Sequence, residues 1–311
     1  MKELYNYRQM IFSLVKKDLR GRYKGSVLGF LWTFINPLLQ LVVYTIVFSV
    51  ILPTNIEKYY LHLFVALIPW IFFSSSITVG SSSIIAQKDL VKKIYFPREV
   101  IPISYVTSCF VNMLLCFIVI FAVVAFSGIG FNPAALLCLP LIMIVEYMLA
   151  LGVTLLTSAI TVYFRDLEHI LGIVTMAWMY MTPVMYSVDI VPEKYRGLFS
   201  LNPMMPVIQA YRDILYYARV PKLFTLTEAF VLGIFFLVLI IGLHYRYYRK
   251  DSKSVYVMKR LKDPAILWKT YVGTPIIYGL IFLGTGLCLL GLYYGIYRWM
   301  TPDVCLPQGV L

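Results

Sequence analysis

Six stretches, residues 28–52, 61–86, 101–126, 134–162, 170–188 and 229–245, contain no lysine or arginine, and together they hold one acidic residue, Glu146. A helix rising ~1.5 Å per residue needs about 20 apolar residues to cross a hydrocarbon layer about 30 Å thick. In lipid no water satisfies the backbone, so a spanning segment that is not part of a closed barrel must be helical. These runs therefore predict an all-α integral membrane protein. Composition agrees, since 60% of the 311 residues are hydrophobic and 14% are charged, against roughly 25% charged in a soluble domain. The first run starts at Leu28 and has no small-residue cleavage pattern behind it, so it is expected to be retained as a helix.

The net charge of +12 lies between the apolar runs rather than on one face of a polar domain, which fits membrane lipids and excludes nucleic acid as partner. With the N-terminus inside, 20 of the 27 Lys and Arg residues fall on the inner side, as the positive-inside rule requires. The five cysteines, Cys109, Cys116, Cys138, Cys288 and Cys305, form no C-x-x-C pair and suggest neither disulfide nor metal.

Residues 1–27 place Ile11, Val15, Leu19 and Tyr23 at a spacing of four, with Lys16, Lys17, Arg20 and Lys24 on other faces. That pattern predicts an amphipathic helix in the membrane interface, or one packed on a partner subunit. Residues 198–221 are apolar yet interrupted by Pro203 and Pro206, which predicts a pair of short re-entrant helices; a cap helix outside the membrane is the alternative. A basic linker follows in 251–311, and the charge-free run 274–297, with Gly291 and Gly295 one helical turn apart, predicts an added seventh span.

No G-x-x-x-x-G-K-[ST] loop is present, and His62, His169 and His244 sit in separate segments without a hydrolase or zinc pattern. ATP-driven work would have to come from another polypeptide. Three stretches then carry a specific resemblance. Residues 17–39 read KDLRGRYKGSVLGFLWTFINPLL, residues 162–186 read VYFRDLEHILGIVTMAWMYMTPVMY, and residues 201–216 read LNPMMPVIQAYRDILY. In order and spacing, over about residues 7–250, the chain resembles the permease subunits of ABC-2 type exporters for teichoic acid, O-antigen and capsular polysaccharide. Residues 251–311 depart from that pattern.

The resemblance implies a six-helix ABC-2 type transmembrane domain over 28–250 and two permease copies around a channel. It also implies two ATPase subunits, which hold the ATP and Mg, while this chain carries no cofactor and performs no catalysis. It makes 87–102, QKDLVKKIYFPREVIP, the coupling helix, with Lys92, Lys93, Arg98 and Glu99 suited to ion pairs and Ile94, Tyr95 and Phe96 to a partner's groove. From the residues alone this reads first as a charged inner turn whose cations set orientation. Arg165 and Asp166 either cap the fifth helix or touch the ATPase. In the outer segment the resemblance implies a re-entrant gate formed by Asn202, Pro203 and Pro206, then Tyr211, Arg212 and Asp213.

Aromatic faces pack well on the C–H faces of sugars, which makes Trp32, Phe34, Tyr44, Phe48, Trp178, Tyr180 and Tyr186 channel candidates; lipid-facing belt or packing roles compete. Glu146, deep in the fourth span, is either functional or a structural carboxyl bonded to a neighbouring helix. The expected function is export of a lipid-linked polysaccharide across a bacterial cytoplasmic membrane. A drug or small-lipid exporter of the same fold, or less readily a membrane glycosyltransferase, is the alternative.

Overall fold

The computed structural model describes residues 6–222 apart from 23, 24, 52–55, 95, 191 and 201, together with 227 and 231. All of these fall in one compact unit, Met1–Ile240. Apart from residue 231, the expected sixth span lies outside the described residues, as do the basic linker and the seventh span with Gly291 and Gly295.

Regular structure among the described residues is helical throughout. Helix α1 is Arg8–Gly21, and a 3-10 turn, Gly29–Leu31, leads into α2, Trp32–Thr45, which widens into a π-helical stretch, Ile46–Ile51. Then come α3, Tyr59–Ala86, the short α4, Lys88–Lys93, and α5, Val100–Ser127. Next are α6, Pro133–Leu136, α7, Leu139–Tyr163, α8, Leu167–Met181, α9, Glu193–Ser200, and α10, Met204–Leu215. Among the described residues four segments are long and apolar enough to cross a membrane: Gly29–Ser49, Tyr59–Ala86, Val100–Ser127 and Pro133–Tyr163.

Helix α3 is apolar on every side over most of its length, and such a helix belongs in the centre of a bundle. Leu61, Leu63, Phe64, Val65, Leu67, Trp70 and Phe73 are all buried there. Helix α5 packs against it with Phe110 on Phe72, and α7 through small and hydroxyl residues, which let helix backbones approach in lipid. The tightest approach is at Gly80, where a Cβ would stand 2.5 Å from Thr154 Cγ2. Thr154 Oγ1 donates across the same crossing to the Ser76 carbonyl at 2.9 Å. The buried hydroxyls of Ser83, Ser104 and Thr161 donate to carbonyls of their own helices.

The fifth apolar run departs from expectation. A helix was expected over 170–188, but α8 starts at Leu167 and stops at Met181. Thr182 is extended, at φ −104° and ψ 131°, because Pro183 pushes the residue before it out of the helical region. The 15 residues of α8 give a rise of about 22 Å, too short to cross alone. Both α8 and α2 keep large apolar side chains exposed: Leu39, Val42 and Val43 on α2, and Ile170, Ile173, Val174 and Met176 on α8.

Helix α1 lies across one end of the bundle, called here the near face. Leu14 packs with Phe96, Val100 and Ile101, with Met10, Ile11, Leu90 and Val91 around them. The expected stripe at intervals of four thus takes in Leu14 as well as Val15, because the surface beneath it is wider than a single row. Lys16, Lys17 and Arg20 are exposed, and Tyr23 and Lys24 lie outside the described residues.

Candidate functional site

The far face, opposite α1, is built on α10. Its N-P-x-x-P start is an economical helix opening: Pro203 precedes the first turn and Pro206 lies within it, where backbone N–H groups have no helical partner to lose. Asn202 supplies what the prolines cannot. Its Oδ1 accepts from Met204 N at 3.0 Å and from the Trp178 indole at 2.8 Å, while its Nδ2 donates to Thr182 Oγ1 at 2.8 Å and to the Met181 carbonyl at 3.2 Å. One buried amide therefore starts α10 and ties it to the end of α8.

The Y-R-D triplet divides its side chains among three directions. The Tyr211 hydroxyl donates to Glu146 Oε2 at 2.7 Å, and Glu146 is 0% exposed about two turns into α7. Arg212, 4% exposed, donates to the carbonyls of Val184 at 2.8 Å and Tyr186 at 3.2 Å. Asp213 pairs with Arg219 at 2.6 Å, which closes the loop after α10. Three buried polar atoms here have no hydrogen-bond partner among the described residues: Glu146 Oε1, Arg212 Nε and His62 Nδ1.

The seven aromatic candidates separate into two groups. Trp178 is an internal tie: its N–H serves Asn202, and its ring stands edge-on to Phe73 with centroids 5.1 Å apart. Its donor is taken up inside the protein, and the side chain is part-buried. Phe48 is likewise turned onto Tyr59, at 6.2 Å. Tyr180 is 61% exposed, and Tyr44 on α2 lies within electrostatic range of it. Tyr186 is part-buried and donates to the Tyr180 carbonyl at 2.7 Å. Trp32 is also part-buried, with its N–H on Ser26 at 2.9 Å, and Phe34 packs edge-on against Phe30 at 5.5 Å.

On the near face the expected coupling residues are also divided. Lys92 and Lys93 on α4, Ile94 and Arg98 are exposed, and Glu99 is part-buried at the start of α5. Phe96 is not available to a partner's groove: it is buried beneath α1, where it supports the loop from inside. Tyr95 lies outside the described residues. Arg165 and Asp166 are exposed in the turn at the same end of the bundle, and Asp166 makes no side-chain cap to α8.

A family model described as ABC-2 type transporter matches residues 9–216. The chain belongs to the ABC-2 type transporter family. It is 37% identical over 223 residues to a protein of Myxococcus xanthus named O-antigen export system permease protein RfbA, covering 71% of this chain and 85% of the relative. A protein of the same name from Klebsiella pneumoniae is 34% identical over 66% of this chain and 79% of its own length. The Polysialic acid transport protein KpsM of Escherichia coli is 23% identical over 65% and 79%. The apolar helices and the family together make this a multi-pass membrane protein, and the ABC-2 match runs from α1 to just past α10.

Within this ABC-2 domain one cluster escaped the sequence reading. Asp18 and Arg22 form an i,i+4 ion pair at 2.9 Å, and the guanidinium continues to Ser108 Oγ and Cys109 Sγ, each at 3.2 Å. Ser108 donates to the same Asp18 carboxylate, and Tyr105 presents its ring to Arg22. The end of α1 is thereby clasped to α5. The pair was visible in KDLRGR, but its partner on the third apolar run was not.

Proposed function

We propose that this chain is the permease subunit of an ABC exporter that carries a lipid-linked polysaccharide across a bacterial cytoplasmic membrane. The observation that carries the reading is its 37% identity over 223 residues to a protein named as an O-antigen export permease. The geometry is compatible with it. Helices α2 and α8 keep one side uncovered, and on that side Tyr180 is open and Tyr44 is near it. Two copies facing each other across such surfaces would enclose a passage with aromatic faces, which suit the C–H faces of sugars. In this reading the near face is cytoplasmic, and Lys92, Lys93 and Arg98 meet a separate ATPase subunit that binds ATP and Mg. Glycan would pass from there toward α10.

The test is complementation in a bacterium from which its own O-antigen permease gene has been removed. The chain, expressed with the ATPase from its own host, is expected to restore glycan at the cell surface. Glycan that accumulates inside, with both proteins present in the membrane, would refute the assignment.

A further inference from the structure

Three sources of positive potential meet at the start of α3. The first is the helix itself: the peptide dipoles of its 28 residues put their positive end at Tyr59, where the first turn holds no acidic residue and no side-chain cap. The second is Arg212, which is 4% exposed yet forms no ion pair among the described residues. Its hydrogen bonds go to two neutral carbonyls, those of Val184 and Tyr186, and its Nε has no partner there. The adjacent acid, Asp213, is taken by Arg219. Arg212 lies within electrostatic range of both Tyr59 and His62, so the guanidinium stands beside the first turn of α3. The third is Lys58 at the cap position, whose ammonium is held by the Ser127 carbonyl at 2.9 Å. Glu57, one residue earlier, is exposed and makes no ion pair with Arg212 among the described residues. A buried charge left without a counter-charge is costly.

His62 is the fourth residue of α3. It is 2% exposed, and its Nδ1 has no hydrogen-bond partner among the described residues. Its ring meets that of Tyr216 edge-on at 5.2 Å and tilts toward Tyr59 at 6.4 Å. The hydroxyls of these two tyrosines are already committed to the carbonyls of Glu57 and Met185. Two donors therefore remain in one place, Arg212 Nε–H and His62 in its Nδ1–H tautomer, bordered by aromatic rings whose edges carry partial positive charge. We propose that a single monovalent anion of the halide class binds at the start of α3, between Arg212 and His62. Two N–H donors suit a small ion, whereas phosphate or sulfate would bury oxygens with no donor to meet them. The helix end adds to the attraction, as it does wherever anions settle at helix N-termini. Tyr216 is part-buried and Tyr217 exposed, so the cluster borders solvent on the far face. The bound ion balances Arg212 while that residue holds the 184–186 turn.

The test uses the full chain in detergent, without ATPase or glycan, so its result is independent of the transport reading. Thermal midpoints are read as gluconate is replaced by chloride or bromide at constant ionic strength. Both halides are expected to raise the midpoint by about 3–6 °C and then saturate, as a ligand of the folded state alone does. General salt effects on hydration do not saturate in this way. His62→Phe keeps a ring against Tyr216 and removes the donor. It is expected to match the parent in gluconate and to lose most of the rise in chloride. Crystals of the parent soaked in bromide should show an anomalous peak between Arg212 and His62, a reading that does not depend on any variant folding. Equal midpoints in chloride and gluconate, an undiminished rise in His62→Phe, or no bromide peak at that place would each overturn the site. A saturating rise with phosphate and none with chloride would overturn the halide assignment.

Discussion

At the scale of single residues, aromatic side chains that look alike in the sequence do different work. Trp178 and Tyr180 are two positions apart, yet one is tied inward by Asn202 and Phe73 and the other is open. Trp178→Leu removes an indole donor and an edge contact, and is expected to lower stability by about 1–3 kcal/mol, read as a fall in the thermal midpoint of the purified complex. Tyr180→Leu should leave that midpoint unchanged and slow glycan export, read as surface glycan per cell. If the two variants trade outcomes, their assignments here are reversed. Glu146 was legible as a position that must face protein, because a carboxyl in an apolar run has few other options. Its partner was not legible, since Tyr211 lies 65 positions away and nothing in either segment names the other.

At the scale of elements, the runs without Lys or Arg located α2, α3, α5 and α7 to within a few residues, because hydropathy and span length are set by the same bilayer. The end of α8 was missed. Hydropathy continues through residues 182–188, while the proline at 183 stops the helix by backbone sterics that an apolar count does not register. The crossing of α3 and α7 at Gly80 was also silent in the sequence, since a glycine in an apolar run is common. Gly80→Val would drive a side chain into Thr154 and is expected to cost about 1–3 kcal/mol, read as a lower thermal midpoint and a smaller monodisperse fraction in detergent. On the near face, reversing the charges of Lys92, Lys93 and Arg98 together should reduce co-purification of the ATPase several-fold without changing membrane insertion. Undiminished recovery of the ATPase would remove α4 and its loop from the docking surface.

At the scale of the whole molecule, the near and far faces have different character. The near face offers exposed cations above a loop stiffened by Phe96, and the end of α1 is clasped there through Asp18 and Arg22 to α5. The far face buries its polar groups in α10 and the turn it holds. Orientation of the C-terminal segment rests on the sequence alone: if 274–297 spans, Cys305 lies outside and an impermeant thiol reagent should label it in intact cells, while Cys109, Cys116 and Cys138 are buried. Labelling only after lysis would place it on the inner side or bury it. The central claim, that this chain forms an ATP-driven path for glycan, is tested most directly in sealed vesicles. These would contain the permease and its ATPase, with a lipid-linked polysaccharide in the leaflet bearing the near face. The account predicts that the glycan becomes accessible to a lectin on the opposite side only when ATP and Mg are added, and that neither protein alone achieves it. Transfer without ATP, or none from the intact hydrolysing complex, would contradict it.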